Sequence, residues 1–405
     1  MHACGLVVEY NPFHHGHYYH LQMAKKQTSA DCIIAVMSGN FLQRGEPAIT
    51  DKFSRAKMAI DQGVDIVIEL PYSNVVQHSD LFSLGAVQIL NEMLVSSICF
   101  GSENGDITAF QRAFDRYKQN QLLFNKTLKD ELSLGNSFPT ANNKAFQKIG
   151  MADTNELDLM QPNNILGFSY LKAIEKVNPT MQPFTIQRKQ SDYHDQHITK
   201  PFASATSIRN MLLTNGVMDQ TINETLSQNS IAYLNAYKQT TGIWHTWENY
   251  FSLLQYRVLT MSKESLKNIH GIDEGIENRM TRTAKEATSF KEWMQLLKTK
   301  RYTQTRLQRI FTHILTNTTK QSINEIQQVP FSYIRLLGLS EQGKAYLNQT
   351  KKDRAIPLLT QFKKQSSLMM AMEERVTDAY YAILSPNIRK KMRKQELEPP
   401  YQKKE

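Results

Sequence analysis

The first 200 residues alternate short apolar runs with longer amphipathic stretches. The apolar runs predict strands, because each is continuous, rich in β-branched residues and closed by a turn signal. They lie at residues 3–9, 32–37, 65–70, 97–100 and 184–187. Between them, apolar residues recur at helical spacing and predict helices at 17–26, 52–62, 83–94 and 163–177. Apolar strands separated by helices predict an α/β fold with a parallel sheet.

The second half of the chain has a different pattern. After about residue 215 the strand signals fade. Most apolar positions then follow helical spacing, at 247–261, 289–297, 303–315, 341–347 and 369–383. The run 330–338 is predicted to be a turn leading into a buried segment, and the charged tail from Arg389 is predicted to be frayed. We therefore expect two domains: residues 1–215 with the parallel sheet, and residues 216–405, mainly α-helical and basic.

Charge separates the two halves further. Residues 1–200 carry 18 Lys and Arg against 20 Asp and Glu, whereas the remaining residues carry 30 against 18. A near-neutral first half and a basic second half suggest that the first half carries out chemistry and that the second half binds a polyanion. A basic surface that only keeps the protein soluble would give the same counts.

The cysteines of the chain, Cys4, Cys32 and Cys99, lie in apolar runs without CxxC spacing. They favour buried, reduced thiols over a disulfide framework or a zinc site. No stretch resembles a secretory leader or is long and apolar enough to span a bilayer. We therefore expect a cytoplasmic protein.

The most distinctive stretch is NPFHHGH at residues 11–17, between the first predicted strand and the first predicted helix. Such junctions bind phosphate, because the first amides of a helix lack internal partners and the helix dipole favours anions. Gly16 would let the backbone approach a phosphate, and His14 and His17 could donate hydrogen bonds to an α-phosphate under attack. Ordinary helix-terminal histidines, or a metal site with His17 and His20 one turn apart, are the alternatives.

A second element, SATSIR at residues 204–209, could bind the β- and γ-phosphates, with Arg209 stabilising the leaving pyrophosphate. Its plain alternative is an N-cap formed by Ser204 or Thr206. The two elements, in this order and about one domain apart, resemble the HIGH-motif nucleotidyltransferase superfamily, whose members transfer adenylyl groups from ATP. The resemblance implies a Rossmann-like catalytic domain.

The chain as a whole resembles a narrower group. The segments EYNPFHHGH, MSGNFLQRGEPA, FGSE, PNNILG and KRYTQTRLQRI are similar to those of the bacterial tRNA(Met) cytidine acetate ligase family, over nearly the full length. The resemblance implies an enzyme that converts acetate and ATP into acetyl-adenylate and pyrophosphate. It would then transfer the acetyl group to N4 of the wobble cytidine of elongator tRNA(Met), releasing AMP.

The resemblance also implies which residues hold ATP. His14, His17 and Arg209 would act in catalysis. The full ATP site would comprise Val7, Val8, Glu9, Tyr10, Asn11, Pro12, Phe13, His14, His15, Gly16, His17, Tyr18, Tyr19, His20, Gly101, Asn163, Arg188, Ser204, Thr206 and Ser207. Mg²⁺ would bridge the phosphates, although the sequence has no evident carboxylate cage.

Some of these residues have plain structural alternatives. Gly101 could be a turn glycine, Asn163 a helix cap and Arg188 one half of a surface salt bridge.

The loop at 38–47 is predicted to be a lid or an acetate-binding loop, with Gly39, Asn40 and Arg44 as its candidate residues. Arg44 would pair with the carboxylate of acetate. It could equally contact a phosphate or a side chain of its own domain.

The sharpest basic segment is KRYTQTRLQR at residues 300–309. Helical spacing there should bury the apolar residues and place Arg306, Arg309 and His313 together on another face, along a tRNA backbone. The alternative is a solvated amphipathic helix. The predicted tRNA contacts are Lys300, Arg301, Arg306 and Arg309.

Two other functions stay open at this point. A nucleotidyltransferase could adenylylate a small phosphorylated cofactor precursor, but it would not need a large basic helical half. A non-catalytic RNA-binding protein would not need two intact phosphate-binding elements. Both alternatives therefore explain less of the sequence than the ligase does.

Overall fold

The computed structural model describes residues 1–151, 157–188, 203–216, 219–362 and 367–403. Its centre is one mixed β-sheet. The strands, numbered along the chain, are β1 Ala3–Val8, β2 Cys32–Ser38, β3 Ile66–Leu70, β4 Ser97–Ser102, β5 Gln182–Gln187, β6 Ile334–Leu339, β7 Leu358–Leu359 and β8 Tyr401–Gln402.

The first five strands lie parallel in the order β5-β4-β1-β2-β3. β1 and β2 pair from Ala3 with Cys32 to Val8 with Met37, so their carboxyl ends finish side by side. Every residue of β2 and β3 is buried, because both faces of the sheet are covered. The predicted α/β fold is confirmed, and the carboxyl ends of these strands form the edge where such sheets bind ligands.

The second half contributes a strand that the sequence pattern did not predict. β6 lies antiparallel to β3, with Glu69 opposite Arg335, and this makes the sheet mixed. β7 and β8 pair with β6 in turn. The expectation that strands end near residue 215 is wrong, because a short apolar run does not reveal its pairing partner. The division into two domains at that residue stays a prediction.

Helices pack against the sheet and form most of the second half, and each predicted helix is present within a few residues of its expected bounds. They are α1 His15–Thr28, α2 Lys52–Asp61, α3 Tyr72–Val75, α4 Ser79–Glu92, α5 Ile107–Gln119, α6 Gln121–Ser133, α7 Phe138–Lys148, α8 Pro162–Val177, α9 Ala205–Asn215, α10 Gln220–Asn223, α11 Gln228–Thr241, α12 Trp247–Thr260, α13 Lys263–Lys267, α14 Ile276–Glu286, α15 Phe290–Leu297, α16 Gln304–Leu315, α17 Lys320–Gln327, α18 Glu341–Gln349, α19 Leu368–Tyr381 and α20 Pro386–Arg393.

The charged tail is folded through Lys403, so the prediction of a frayed end is wrong for these residues. After α20, a short 3-10 helix carries Glu396, whose carboxylate lies 2.8 Å from the buried ammonium group of Lys52 and 3.6 Å from the guanidinium group of Arg335. Buried cations need such partners, because an unpaired charge in the interior is costly. The tail therefore completes the polar interior beside β3 and β6.

The remaining expectations from composition concern cysteines and membranes. Cys4, Cys32 and Cys99 are buried, free thiols, and burial raises the pKa of Cys4 to about 11. Within the described ranges, no helix combines the length and the apolar character that a membrane crossing requires.

Candidate active site

The turn after β1 places His14 at the N-cap of α1. The backbone amide of Gly16 donates to Nδ1 of His14 over 3.0 Å, and the amide of His14 donates to Nδ1 of His17 over 3.4 Å. The two side chains therefore satisfy amides of the helix start reciprocally, as in a capping box. Because Nδ1 accepts in both rings, the proton of a neutral ring is carried on Nε2. Capping thus leaves each ring one N–H to donate.

The surroundings of the two rings are aromatic. His14 and His17 stack with their centroids 3.8 Å apart. Buried Tyr10 and Phe13 flank His17, with ring centroids 5.0 Å and 5.7 Å away. This packing fixes the orientation of the rings and lowers the local dielectric, which strengthens any hydrogen bond that they donate.

These histidines are held neutral. Burial, and after it the charge of Arg188, lowers the pKa of His14 to about 3 and that of His20 to about 4. Burial also takes the pKa of His17 well below its ordinary value, with His14 and Arg188 adding to the effect and the Pro12 carbonyl opposing it. At neutral pH the rings can therefore act as hydrogen-bond donors without carrying charge.

The predicted ATP-site residues around the turn differ in exposure. Those that are buried are Val8, Tyr10, Asn11, Pro12, Phe13 and His14. Those that are half-buried are Val7, Glu9, His15, Gly16, His17, Tyr19 and His20, whereas Tyr18 is exposed.

Arg209 joins the two segments that are predicted to bind phosphate. Its Nη1 donates to the carbonyl of Asn11 over 3.0 Å, although the two residues are 198 positions apart in the chain. Its Nη2 donates to Oγ1 of Thr206 and lies 3.8 Å from the carboxylate of Glu46. The guanidinium group is thus fixed beside the turn that carries His14.

The start of α9 shows which alternative applies to each hydroxyl. Ser204 is the N-cap, and its Oγ accepts the amide of Ser207 over 3.0 Å. Ser207 is buried, whereas Ser204 and Thr206 are half-buried. A capping role for Ser204 is compatible with an anion at the same helix start, because further amides of the first turn have no partner within the helix.

Three predicted nucleotide residues meet at the ends of β4 and β5. Nη1 of Arg188 lies 3.5 Å from Oδ1 of Asn163, and a Cβ built on Gly101 would lie 3.3 Å from Cγ of Arg188. Asn163 is not the cap of its helix. Glu103, which sequence reasoning missed, accepts the amides of Asn163 and Asn164 at the start of α8.

The loop after β2 folds against the His turn. The amide of Gln43 donates to Oε1 of Glu9 over 2.9 Å, and the amide of Ile49 donates to Oδ1 of Asn11 over 2.8 Å. Of the predicted loop residues, Gly39 and Asn40 are buried and Arg44 is half-buried. The loop therefore lies within reach of the same site.

Arg55 on α2 holds this arrangement together and was not predicted. It is fully buried, and its guanidinium group donates to the carbonyls of Glu9, Ser38 and Gly39, which lie at the ends of β1 and β2. Burial lowers its pKa, and carboxylates such as Asp51 oppose that effect. A charged residue on the buried stripe of an amphipathic helix is the signal that could have revealed it.

The basic segment before and within α16 is arranged differently from its prediction. His313 is buried, and its Nδ1 lies 2.9 Å from the hydroxyl of Tyr72. Arg309 faces the loop after β2. The prediction that Arg306, Arg309 and His313 share an outward face is therefore wrong, because helical spacing identifies the apolar face but not what covers its flanks.

The other predicted tRNA residues are more accessible. Lys300 is exposed. Arg301 pairs with Glu274, and Arg306 stacks on the ring of Tyr302 at 4.0 Å, with Asp273 3.9 Å away. These ion pairs are at the surface, where screening makes them weak and exchangeable.

The metal alternative for the histidines has no support in the part of the chain that is described. There, no group of three or more His, Cys, Asp or Glu side chains is placed to hold a metal ion. His17 and His20 instead belong to the turn and to the face of α1 that follows it.

Comparison with known proteins places this geometry in a family. Residues 1–396 match the family described as HIGH Nucleotidyl Transferase. A tRNA(Met) cytidine acetate ligase of Oceanobacillus iheyensis is 52% identical over 400 residues, which is 99% of each chain. One of Bacillus subtilis is 44% identical over 386 residues, covering 94% of this chain and 92% of its own.

Solved structures agree with the sequences. Thermotoga maritima TmcAL, in its apo form and bound with alpha-thio ATP, matches the whole chain with TM-scores of 0.90 and 0.89 at 31% and 30% identity. Each match covers 100% of both chains. The chain therefore belongs to the HIGH nucleotidyl transferase family and, within it, to the tRNA(Met) cytidine acetate ligases.

Proposed function

We propose that this member of the tRNA(Met) cytidine acetate ligases joins acetate to ATP at the turn of His14 and His17, and then passes the acetyl group to tRNA. Its family membership makes the protein an ATP-using ligase that modifies tRNA. The observation that carries the mechanism is the hydrogen bond from Arg209 to the Asn11 carbonyl, which joins the two phosphate-binding elements.

In the first step, an oxygen of acetate attacks the α-phosphorus of ATP. A bond forms between that oxygen and phosphorus, and the bond to the β-phosphate oxygen breaks, giving acetyl-adenylate and pyrophosphate. His14 and His17 donate from Nε2 to the α-phosphate oxygens as charge builds on them. Because both rings are neutral, they stabilise this charge without giving up a proton.

The leaving pyrophosphate would be bound on the other side of the site. The guanidinium group of Arg209 is oriented by Thr206 and Glu46. The start of α9, with Ser204 and Ser207, adds helix-terminal amides and hydroxyls. Gly101, Asn163 and Arg188 would hold the nucleoside, since they meet at the ends of adjacent strands.

Acetate and Mg²⁺ complete the proposed first step. The carboxylate of acetate would lie against Arg44, in the loop that also carries Gly39 and Asn40. Mg²⁺ would arrive on the phosphates of ATP, because the described residues offer no cage of three ligands for it.

In the second step, N4 of the wobble cytidine of elongator tRNA(Met) attacks the carbonyl carbon of acetyl-adenylate. The new C–N bond replaces the C–O bond to AMP, and the amine loses its proton after the attack. Lys300, Arg301 and Arg306 would contact tRNA phosphates, since each is exposed or half-exposed beside α16. The target nucleotide follows from the family resemblance alone.

The test is isotope exchange between pyrophosphate and ATP. With acetate present and tRNA absent, we expect exchange, because adenylate formation is reversible and needs no RNA. Exchange that requires a phosphorylated precursor instead of acetate would favour the cofactor-precursor enzyme. Absence of exchange with any acid, together with salt-sensitive RNA binding, would favour a non-catalytic RNA-binding protein.

A further inference from the structure

Helix α16 and the loop after β2 touch through their backbones. Gly45 has φ +83°, and a Cβ built on it would lie 2.5 Å from the amide nitrogen of Arg309 and 2.6 Å from the carbonyl carbon of Gln308. Only glycine accommodates both the left-handed conformation and this approach. The helix therefore covers the loop directly, without an intervening side chain.

Side chains of α16 then hold the loop on both sides of Gly45. Nε of Arg309 donates to the carbonyl of Gln43 over 2.9 Å. Oγ1 of Thr312 donates to the carbonyl of Gly45 over 2.6 Å, and the side-chain Nε2 of Gln308 donates to the carboxylate of Glu46 over 3.2 Å. Loop residues before, at and after the glycine are thus bound to one helix face.

The same loop residues contact the catalytic turn. The amide of Gln43 donates to the carboxylate of Glu9, and Glu46 faces Arg209. Arg209 in turn donates to the Asn11 carbonyl. A continuous set of polar contacts therefore runs from α16 through the loop to the phosphate-binding elements.

Electrostatics agree with this placement. Burial, and after it the charge of Arg44, lowers the pKa of Arg309 to about 10. The charge of Arg44 therefore acts on Arg309 at this loop, and Glu46 of the same loop lies 3.8 Å from the guanidinium group of Arg209. Such a concentration of positive charge suits the binding of small anions.

We propose that Arg309 is a positioning residue for adenylate formation: it holds the loop so that Arg44 can bind acetate beside the Glu46–Arg209 pair. This inference rests on the proposed function. It differs from a tRNA-binding role for Arg309, because the effect is exerted on a reaction that needs no RNA.

The main variant is Arg309→Gln, which removes the charge and the donor at Nε. Losing a hydrogen bond from a charged group should raise the KM for acetate about tenfold in the exchange reaction, with the KM for ATP changed about threefold or less. Affinity for tRNA should stay within about twofold of wild type. Arg309→Lys should recover part of the loss, because an ammonium group can still donate to the Gln43 carbonyl.

The matched control is Arg279→Gln. Arg279 also donates to a backbone carbonyl, that of Leu296, over 3.0 Å from Nε and 2.6 Å from Nη2, but it lies on α14. Its variant should keep wild-type acetate kinetics. The control thus separates the loss of an arginine–carbonyl contact as such from the loss of this one.

Gly45→Ala supplies an independent variant that leaves Arg309 intact. Added Cβ atoms that clash with backbone displace whole segments, so it should raise the acetate KM in the same direction as Arg309→Gln. Circular dichroism and thermal unfolding would show that each variant is folded.

Three results would overturn the proposal. They are unchanged acetate kinetics in Arg309→Gln and Gly45→Ala, an equal rise in the KM values for acetate and ATP, and a fall in tRNA affinity with normal exchange. A wild-type enzyme without acetate-dependent exchange would overturn the proposed function, and the positioning role with it. Normal wild-type exchange beside an unaffected Arg309→Gln would overturn the positioning role alone.

Discussion

The nitrogen donors on the two sides of the site differ in charge: one side has neutral rings and the other has cationic groups. Around the turn after β1, His14, His17 and His20 have lowered pKa values and are neutral at physiological pH. Around the loop after β2, the donors are the guanidinium groups of Arg209 and Arg309, which are fixed by backbone carbonyls. The first side would meet the α-phosphate and the second the more highly charged pyrophosphate and acetate.

Such a division of donors would keep the site from binding its substrates too tightly. Neutral donors in a low-dielectric setting stabilise charge that develops during the reaction, and they bind ground-state anions less strongly than cations would. Charged donors suit the groups that carry full charge throughout. Three predictions test this contrast.

The largest effect is expected on the neutral side. His17→Ala should lower acetate-dependent exchange about 10²- to 10³-fold, as the loss of one preorganised donor does elsewhere. Affinity for tRNA should be nearly unchanged, because the ring lies in the nucleotide site. His2→Ala, which alters an exposed histidine before β1, is the control. A collapse of tRNA binding in His17→Ala would show that the ring is structural.

A smaller effect is expected for the basic side chains at the surface of α16 and of the segment before it. Lys300→Ala combined with Arg306→Ala should weaken tRNA binding and reduce the slope of log affinity against log salt by about 1 for each lost phosphate contact. Exchange without tRNA should be unaffected. Lys126→Ala, an exposed lysine on α6, is the matched control. Unchanged tRNA binding in the double variant would mean that the RNA-binding surface lies elsewhere on the protein.

The smallest effect concerns the pH dependence of stability, which tests whether the buried histidines are neutral. The folded pKa of His14 is about 3, below the ordinary value of 6.5, so the unfolded chain binds the proton first. The neutral ring of His14 therefore contributes to stability in full above pH 6.5. This contribution is lost progressively as the pH falls from 6.5 towards 3. Lowering the pH from 7.5 to 5.5 should reduce the free energy of unfolding by about 1 kcal/mol for each such histidine.

Two variants measure that contribution in two regions. His245, in the core between α11 and α12, also has a pKa lowered to about 3, by burial alone. His14→Gln and His245→Gln should each lose about 1 kcal/mol less free energy of unfolding than wild type over the same pH range. Denaturant unfolding at several pH values provides the measurement. A pH dependence identical to that of wild type would mean that these rings take up their protons over the same pH range in the folded and the unfolded protein.

Sequence patterns predicted much of the catalytic half for physical reasons. Strands buried on both faces leave long apolar runs, so β1 to β4 could be predicted from those runs and from the turns that close them. The position of His14 followed from a strand that hands over to a helix. His14 caps the helix through Nδ1, whereas its proposed catalytic role uses Nε2. The capping and the catalytic interpretations of the motif are therefore compatible.

The features that escaped prediction depend on distant pairing. β6 could not be recognised because its partner β3 lies more than 250 residues away in the chain. Glu103 and Arg55 act on backbone groups of other segments, which leaves no periodic signal. Arg309 lies beside the apolar stripe of α16, and only the folded loop shows that this flank is covered.

A crystal structure with ATP and acetate bound would test the role of the paired imidazole rings. We expect an α-phosphate oxygen about 3 Å from Nε2 of His14 and of His17, with pyrophosphate oxygens on Arg209. ATP bound at another edge of the sheet, with both imidazole rings turned away from every phosphate, would contradict it.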